Sequence, residues 1–205
     1  MDDNLIKLHI FLDSCYEIEC CCAEMYYFFA EQFADNRKLS RLWSKTAMEE
    51  ENHARHVLLA KKMVSSINWV CLESWRNATT ALALVKQTIR SIRESPPGQK
   101  DAILMALACE HRLENLHMQS AILVKEAVGN SMFKALLKAD RQHVELLEAT
   151  LDMMQREEAG VFEIIDFEVM PTQEIMDYDL SSPVRCDPAL PAPWQSILPE
   201  KTASG

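Results

Sequence analysis

The chain has 205 residues, 48% of them hydrophobic, which is enough for one sizeable core and excludes a disordered polymer. Its formal charge of −10 and pI near 5.1 argue against a phosphate-binding surface, so no nucleic-acid partner is expected. No 18-residue apolar run occurs, so no membrane span is expected. The acidic start MDDNLIKLHI lacks the basic opening of a signal peptide. Seven cysteines, three of them consecutive, make a poor disulfide framework, and reduced thiols in a cytoplasm fit better. With no C-x-x-C pair, the commonest sulfur-based metal knuckle is absent as well. Only 4 glycines and 8 prolines occur, and six of the prolines lie at or after Pro171, so the body should be built of long helices.

The first helix is expected from about Asn4 to Asp35, with Asp2 or Asp3 as its cap. At ~100° per residue, Leu8, Leu12, Cys15, Cys22, Ala23, Tyr26, Ala30 and Phe33 fall within roughly 60° of Glu19. Glu19 is therefore one acid in the middle of an apolar stripe, while Glu17 and Glu24 face the far side. The second helix, about Lys38 to Ser65, carries Glu50-x-x-His53 on a face shared with Trp43, Thr46, Ala54, Val57 and Val64. A Glu and a His three apart lie side by side on a helix. Turned into a core, both need a partner, because an uncompensated buried charge is very costly. Glu49 and Glu51 point to either side of Glu50, toward solvent or the bundle edges, and His56 lies at the edge of the face. Lys61 falls on the face but near the helix end, where its amine reaches water.

Residues 66–98 form a long connection. It reads as an irregular crossing over Ser66–Cys71, then an extra helix from about Ala78 to Glu94 capped by Asn77 and ended by Ser95-Pro96-Pro97-Gly98. Such a length allows the flanking helices to run parallel. The next helix spans about Lys100 to Val128, with Ile103, Ala106, Leu107, Leu113, His117, Ala121 and Val124 on the stripe of Glu110 and with Glu114 within ~40° of it. The last, about Ser131 to Glu158, repeats the acid-x-x-His spacing as Asp140-x-x-His143, on a face with Phe133, Leu136, Leu137, Val144, Leu147, Leu151 and Met154. The remainder reads as an extended arm with an apolar start. The expected division is thus 1–159 for the bundle and 160–205 for the C-terminal arm.

The motifs form a hidden repeat. Glu19 precedes Glu50-x-x-His53 by 31 residues, and Glu110 precedes Asp140-x-x-His143 by 30. Each acid sits near a helix midpoint, and in antiparallel pairs midpoints meet. Four carboxylates and two imidazoles at the centre of a four-helix bundle suit two metal ions; such oxygen-rich ligation favours iron or manganese over zinc. Glu114 is a candidate seventh ligand, though an edge position explains it as well. His117 is two turns, about 10 Å, from Glu110 and reads as a hydrogen-bonded core histidine. Cys15 and Cys22 read as small buried hydrophobes; the sharper alternative makes them thiol reductants or peroxide-sensitive residues. Tyr26 reads as core packing with a bonded hydroxyl.

At these residues the chain resembles the ferritin-like di-iron carboxylate superfamily, and the rubrerythrin group in particular. Glu19 with Met25-Tyr26-Tyr27-Phe28-Phe29-Ala30 is similar to that family's first metal helix, Glu50-Glu51-Asn52-His53-Ala54-Arg55 to its second, and Glu110 and Asp140-x-x-His143 to its third and fourth. The resemblance covers about residues 4–158. It implies an all-α, ferritin-like four-helix bundle with a long crossover between the second and third metal helices. It also implies two iron ions (or manganese, or a mixed pair) held by Glu19, Glu50, His53, Glu110, Asp140 and His143. The activity implied is oxidoreduction of hydrogen peroxide or dioxygen, in a homodimer or higher oligomer. Two departures stand out. Asp140 replaces the usual Glu, and Leu113 stands where rubrerythrins carry an additional Glu linked to peroxide chemistry, with Glu114 one residue later. No rubredoxin-like domain is present, so electrons would come from a separate donor. The rival readings are iron oxidation with storage or delivery, hydroxylation of an organic or tRNA substrate, and a metal-free interaction bundle.

Overall fold

The computed structural model describes residues 3–63, 72–123 and 127–158. The expected crossing at Ser66–Cys71 and the C-terminal arm lie outside the described residues. Five helices account for nearly all of the rest: α1 (Asp3–Gln32), α2 (Arg37–Met63), α3 (Leu72–Glu94), α4 (Gln99–Leu123) and α5 (Ala127–Glu158). No strand occurs among the described residues, and no helix among them is long and apolar enough to cross a membrane.

Local chemistry sets the helix ends. The turn after α1 closes through the Asn36 amide donating to the Phe33 carbonyl at 2.9 Å. Asn36 Oδ1 then accepts from the Leu39 amide at 3.2 Å, which satisfies one of the orphan donors at the start of α2. The Pro96-Pro97-Gly98 segment stops α3, as its composition requires.

Three boundaries differ from expectation; the first is the end of α1, which stops at Gln32 and gives way to a turn over 33–35 rather than running to Asp35. Asn77 lies inside α3 rather than capping it, because its side-chain amide donates across to Gln119 Oε1 at 3.0 Å. Gly129-Asn130, expected as a stop, sits in the first turn of α5. There the Asn130 side chain donates to the Ala121 carbonyl of α4, so the amide links two helices instead of ending one.

The register of side-chain contacts gives the directions of the helices. Asp13 meets Lys61, Glu19 meets His53 and Ala30 meets Ser40, so α1 and α2 are antiparallel. Likewise His117 meets Asp140 and Glu114 meets Arg141, so α4 and α5 are antiparallel. The extra helix behaves differently: Glu17 pairs with Lys86 and Glu24 with Arg93 at a constant offset, so α3 runs parallel to α1. Those two acids are the ones expected on the far side of the Glu19 stripe; α3 covers that side. Because α1 is antiparallel to α4 through Glu19–His117 and Tyr26–Glu110, α2 and α4 run in the same direction.

The expected stripes form the core. Leu8, Leu12, Cys15, Cys22, Ala23, Tyr26, Ala30 and Phe33 are all buried, as are Trp43, Ala47, Val57, Ile103, Ala106, Leu113, Phe133, Leu136 and Leu147. On one side of the four midpoint acids an aromatic cluster closes the core. Trp43 stacks on Tyr26 with ring centroids 5.5 Å apart and packs on Phe29 at 5.1 Å. On the other side Phe133 lies 5.7 Å from Phe11 and 6.0 Å from the ring of His117.

Trp43 is completely buried and bridges α1 and α2. Trp43→Ala is expected to lower the unfolding free energy by about 3–5 kcal/mol, the range for removing a large core aromatic. Urea titration of both proteins checks this, and a loss below about 1 kcal/mol would contradict the packing.

Candidate metal centre

Six polar side chains meet where the midpoints of α1, α2, α4 and α5 converge. Glu19, Glu50, His53, Glu110, Asp140 and His143 are all buried, and the first, second, fourth and fifth are fully so. Two triads of donor atoms form within this group: Glu19, Glu50 and His53, and then Glu50, Glu110 and His143. Each could hold a metal ion.

The triads mirror each other closely. His53 Nδ1 lies 2.9 Å from Glu50 Oε2 and 3.6 Å from Glu19 Oε2. His143 Nδ1 lies 3.0 Å from Glu50 Oε1 and 3.5 Å from Glu110 Oε2. Glu50 therefore offers one oxygen to each side. The two imidazoles face each other with ring centroids 5.7 Å apart.

Asp140, the counterpart of Glu50, does not join either triad. Its Oδ2 accepts instead from Nδ1 of His117 at 2.7 Å, and the other nitrogen of that ring, Nε2, stands 3.3 Å from Glu19 Oε1. Aspartate is one methylene shorter than glutamate, and a fully buried imidazole fills the gap it leaves. Glu114 is turned outward: Arg141 Nε donates to its Oε1 at 2.9 Å, and it is partly exposed.

Two groups around the centre, Glu49 and Cys109, were not expected there, whereas Tyr26, expected to pack in the core with a bonded hydroxyl, does so. Glu49, expected at the edge, accepts from Nε2 of His143 at 3.1 Å and so orients the ring whose Nδ1 faces the site. Tyr26 donates its hydroxyl to Glu110 Oε1. Cys109 places its sulfur 3.7 Å from that of Cys22. One signal was available for the hydroxyl and for His117: each stands seven residues after its own helix's acid, Tyr26 after Glu19 and His117 after Glu110. Two turns along an antiparallel partner, each reaches the other hairpin's acid.

Burial penalises the charged forms of Glu19, Glu50 and Asp140, and the neighbours decide the outcome. For Glu19, the imidazoles of His117 and then His53 beside it outweigh burial and hold its carboxyl below the usual range. For Glu50, burial and then the charge of Glu110 push the pKa up to about 7. Asp140 is raised by burial, against the pull of His117. The three histidines are all raised. Burial opposes their charge, but Glu50 and Glu19 raise His53 to about 10, and Asp140 and Glu19 raise His117 to about 10. Glu110 and Glu50 raise His143 well above its ordinary value. Burial raises the Tyr26 hydroxyl, with the charge of Glu110 adding to it, so it remains a donor.

The donor set fits metal ions. Glu19 Oε1 and Oε2, Glu50 Oε1, Glu110 Oε2, Asp140 Oδ1 and His143 Nδ1 are buried and make no hydrogen bond. His143 Nδ1 lies 3.0 Å from Glu50 Oε1, yet the angle is not that of a hydrogen bond. Atoms that approach so closely without bonding are disposed like ligands facing a shared cation. Unpartnered carboxylate oxygens in a core are costly, and a divalent ion is the partner that satisfies several at once.

No protein-family model, curated protein or solved structure matches the chain.

Protonated His53 and His117 stabilise the metal-free fold. With folded values near 10 against an ordinary 6.5, that stability is fully present below pH 6.5 and is lost as pH rises through about 10. The raised Glu50 acts in the same direction between pH 4.5 and about 7. Glu19 acts oppositely, and its contribution is lost as pH falls below 4.5. Metal-stripped protein is therefore expected to have a higher urea midpoint at pH 5.5 than at pH 9; an equal or reversed order would refute the assignment.

Proposed function

We propose that the chain is a di-iron carboxylate oxidoreductase of the ferritin-like, rubrerythrin-like kind, acting on hydrogen peroxide or dioxygen. The observation that carries this reading is the pair of mirrored triads sharing Glu50, in which Glu19 Oε1 and Oε2, Glu50 Oε1, Glu110 Oε2 and His143 Nδ1 are buried and lack hydrogen bonds. Carboxylate oxygens with one imidazole nitrogen on each side favour iron or manganese, and two iron ions would supply the electrons for reducing an O–O bond.

The chain's own part is to position, to balance charge and to keep water out. Glu50 links the two halves through its separate oxygens. Tyr26 and His117 brace Glu110 and Glu19 from across the bundle, which limits how far these carboxylates swing. Glu49 fixes the ring of His143. The stacked Tyr26, Trp43 and Phe29 form a dry wall on one side, so charges within the site act through a low dielectric. Asp140 and His117 form a buried acid–imidazole pair beside Glu19 that can hold a proton within reach of the centre. Since His53 and His143 hold protons in the metal-free fold, metal uptake displaces them, and affinity should rise with pH. Renewed turnover draws on a separate electron donor.

Anaerobic loading with ferrous iron tests the reading. About two iron ions per chain are expected in the native protein. Glu50→Ala should lose both, because both triads use it; His53→Ala should lose at least one. Helical circular dichroism should stay near native in each, and Glu114→Ala should retain full iron content. Native iron content in Glu50→Ala would refute the ligand assignment. Faster oxidation by peroxide than by air selects the peroxidase branch, and the reverse selects dioxygen.

A further inference from the structure

Neither triad uses Cys22 or Cys109, yet the fold brings them together at the edge of the centre. Their sulfur atoms, 87 residues apart in the chain, lie 3.7 Å from each other across α1 and α4. A disulfide closes at about 2.05 Å, so the sulfurs need to approach by less than ~2 Å. Cys109 immediately precedes Glu110, and Cys22 lies one helical turn beyond Glu19. The neighbouring Cys109 and burial push the Cys22 thiol well above its ordinary range, and the charges of Glu50 and Glu110 add to this, so the thiol keeps its proton. Cys22 is fully buried and Cys109 is 8% exposed, so the pair lies in the core.

We propose that Cys22 and Cys109 are a redox-active dithiol that supplies two electrons when hydrogen peroxide is reduced at the metal centre. This rests on the oxidoreductase reading above. Each thiol gives up its S–H hydrogen, and one S–S bond forms. The O–O bond of the peroxide breaks, and its two oxygens leave as two molecules of water carrying the thiol hydrogens. The thiols are oxidised by two electrons in all and the peroxide is reduced by two. An external thiol or dithiol reopens the disulfide. Without metal the reaction is slow, because peroxide attacks thiolates exposed to solvent and this pair is buried.

The test uses the full chain, loaded anaerobically with ferrous iron and given two equivalents of hydrogen peroxide, so that the four electrons of the dithiol and the two ferrous ions are all accounted for. Alkylation and non-reducing peptide mapping follow, with iron oxidation read by absorption in the same sample. The expected result is the loss of two of the seven thiols, mapped to a Cys22–Cys109 link and restored by reductant. Cys22→Ala should leave Cys109 alkylatable, Cys109→Ala should leave Cys22 alkylatable, and both should keep native iron content. Cys15→Ala, equally buried on the same stripe, should still form the link. Iron oxidised with all seven thiols intact overturns the dithiol and leaves the metal reading standing. Protein that binds no iron, or whose iron does not respond to peroxide, overturns both. The same link formed at the same rate in metal-free protein, or a link to another cysteine, also overturns the proposal.

Discussion

Four carboxylates of like sign share the centre of this bundle, and everything around them answers to that constraint. Left ionised and unpaired in a low-dielectric core they would repel one another and forfeit their hydration. Each apolar stripe is interrupted by an acid near its middle, so docking the two hairpins brings the acids together. Three buried histidines and one tyrosine hydroxyl are drawn in as compensation. The compensation is incomplete, since oxygens of Glu19, Glu50, Glu110 and Asp140 still have no hydrogen bond. A core that keeps such atoms, instead of replacing them with leucine, retains a destabilising feature that cations would relieve.

Helix periodicity made much of this legible. The 3.6-residue repeat placed Glu19, Glu50, Glu110 and Asp140 on buried faces, and each is buried. It also put Glu17 and Glu24 on the opposite side, where α3 now meets them. Periodicity gives the face of a residue but not the length to which its side chain reaches, nor the partner waiting across the bundle. Asp140 shows the first limit: it points inward as expected and then pairs with His117 rather than joining a triad. Glu49 and Cys109 show the second, because their partners lie 94 and 87 residues away. Helix ends were hidden for a related reason. Asn77 and Asn130 look like caps or stops by composition, but both spend their amides on links between helices.

The internal symmetry holds for some parts and fails for others in a patterned way. Glu19 with His53 and Glu110 with His143 have nearly equal geometry about Glu50. The braces two turns along are placed symmetrically but differ in kind. Tyr26 offers a neutral donor to one acid, whereas His117 offers a charged one to the other. The two sides of the centre therefore sit in different fields, although their donor atoms match. One side is walled by an aromatic stack, the other by an acid–imidazole pair.

The division of the ligands between hairpins has a consequence for how the centre is assembled. Glu19, Glu50 and His53 all come from α1 and α2, which a four-residue turn joins into a local hairpin. The second triad takes Glu50 from that hairpin but Glu110 and His143 from α4 and α5, which follow only after α3 has traversed the bundle. A cation at the first position would close a short loop of chain, whereas one at the second would tie Glu50 to Glu110 and His143, 60 and 93 residues further along, and close a larger loop. The first position is thus available to a nascent or half-docked chain. The second exists only in the finished fold, so an ion held there would clasp the α1–α2 and α4–α5 hairpins together.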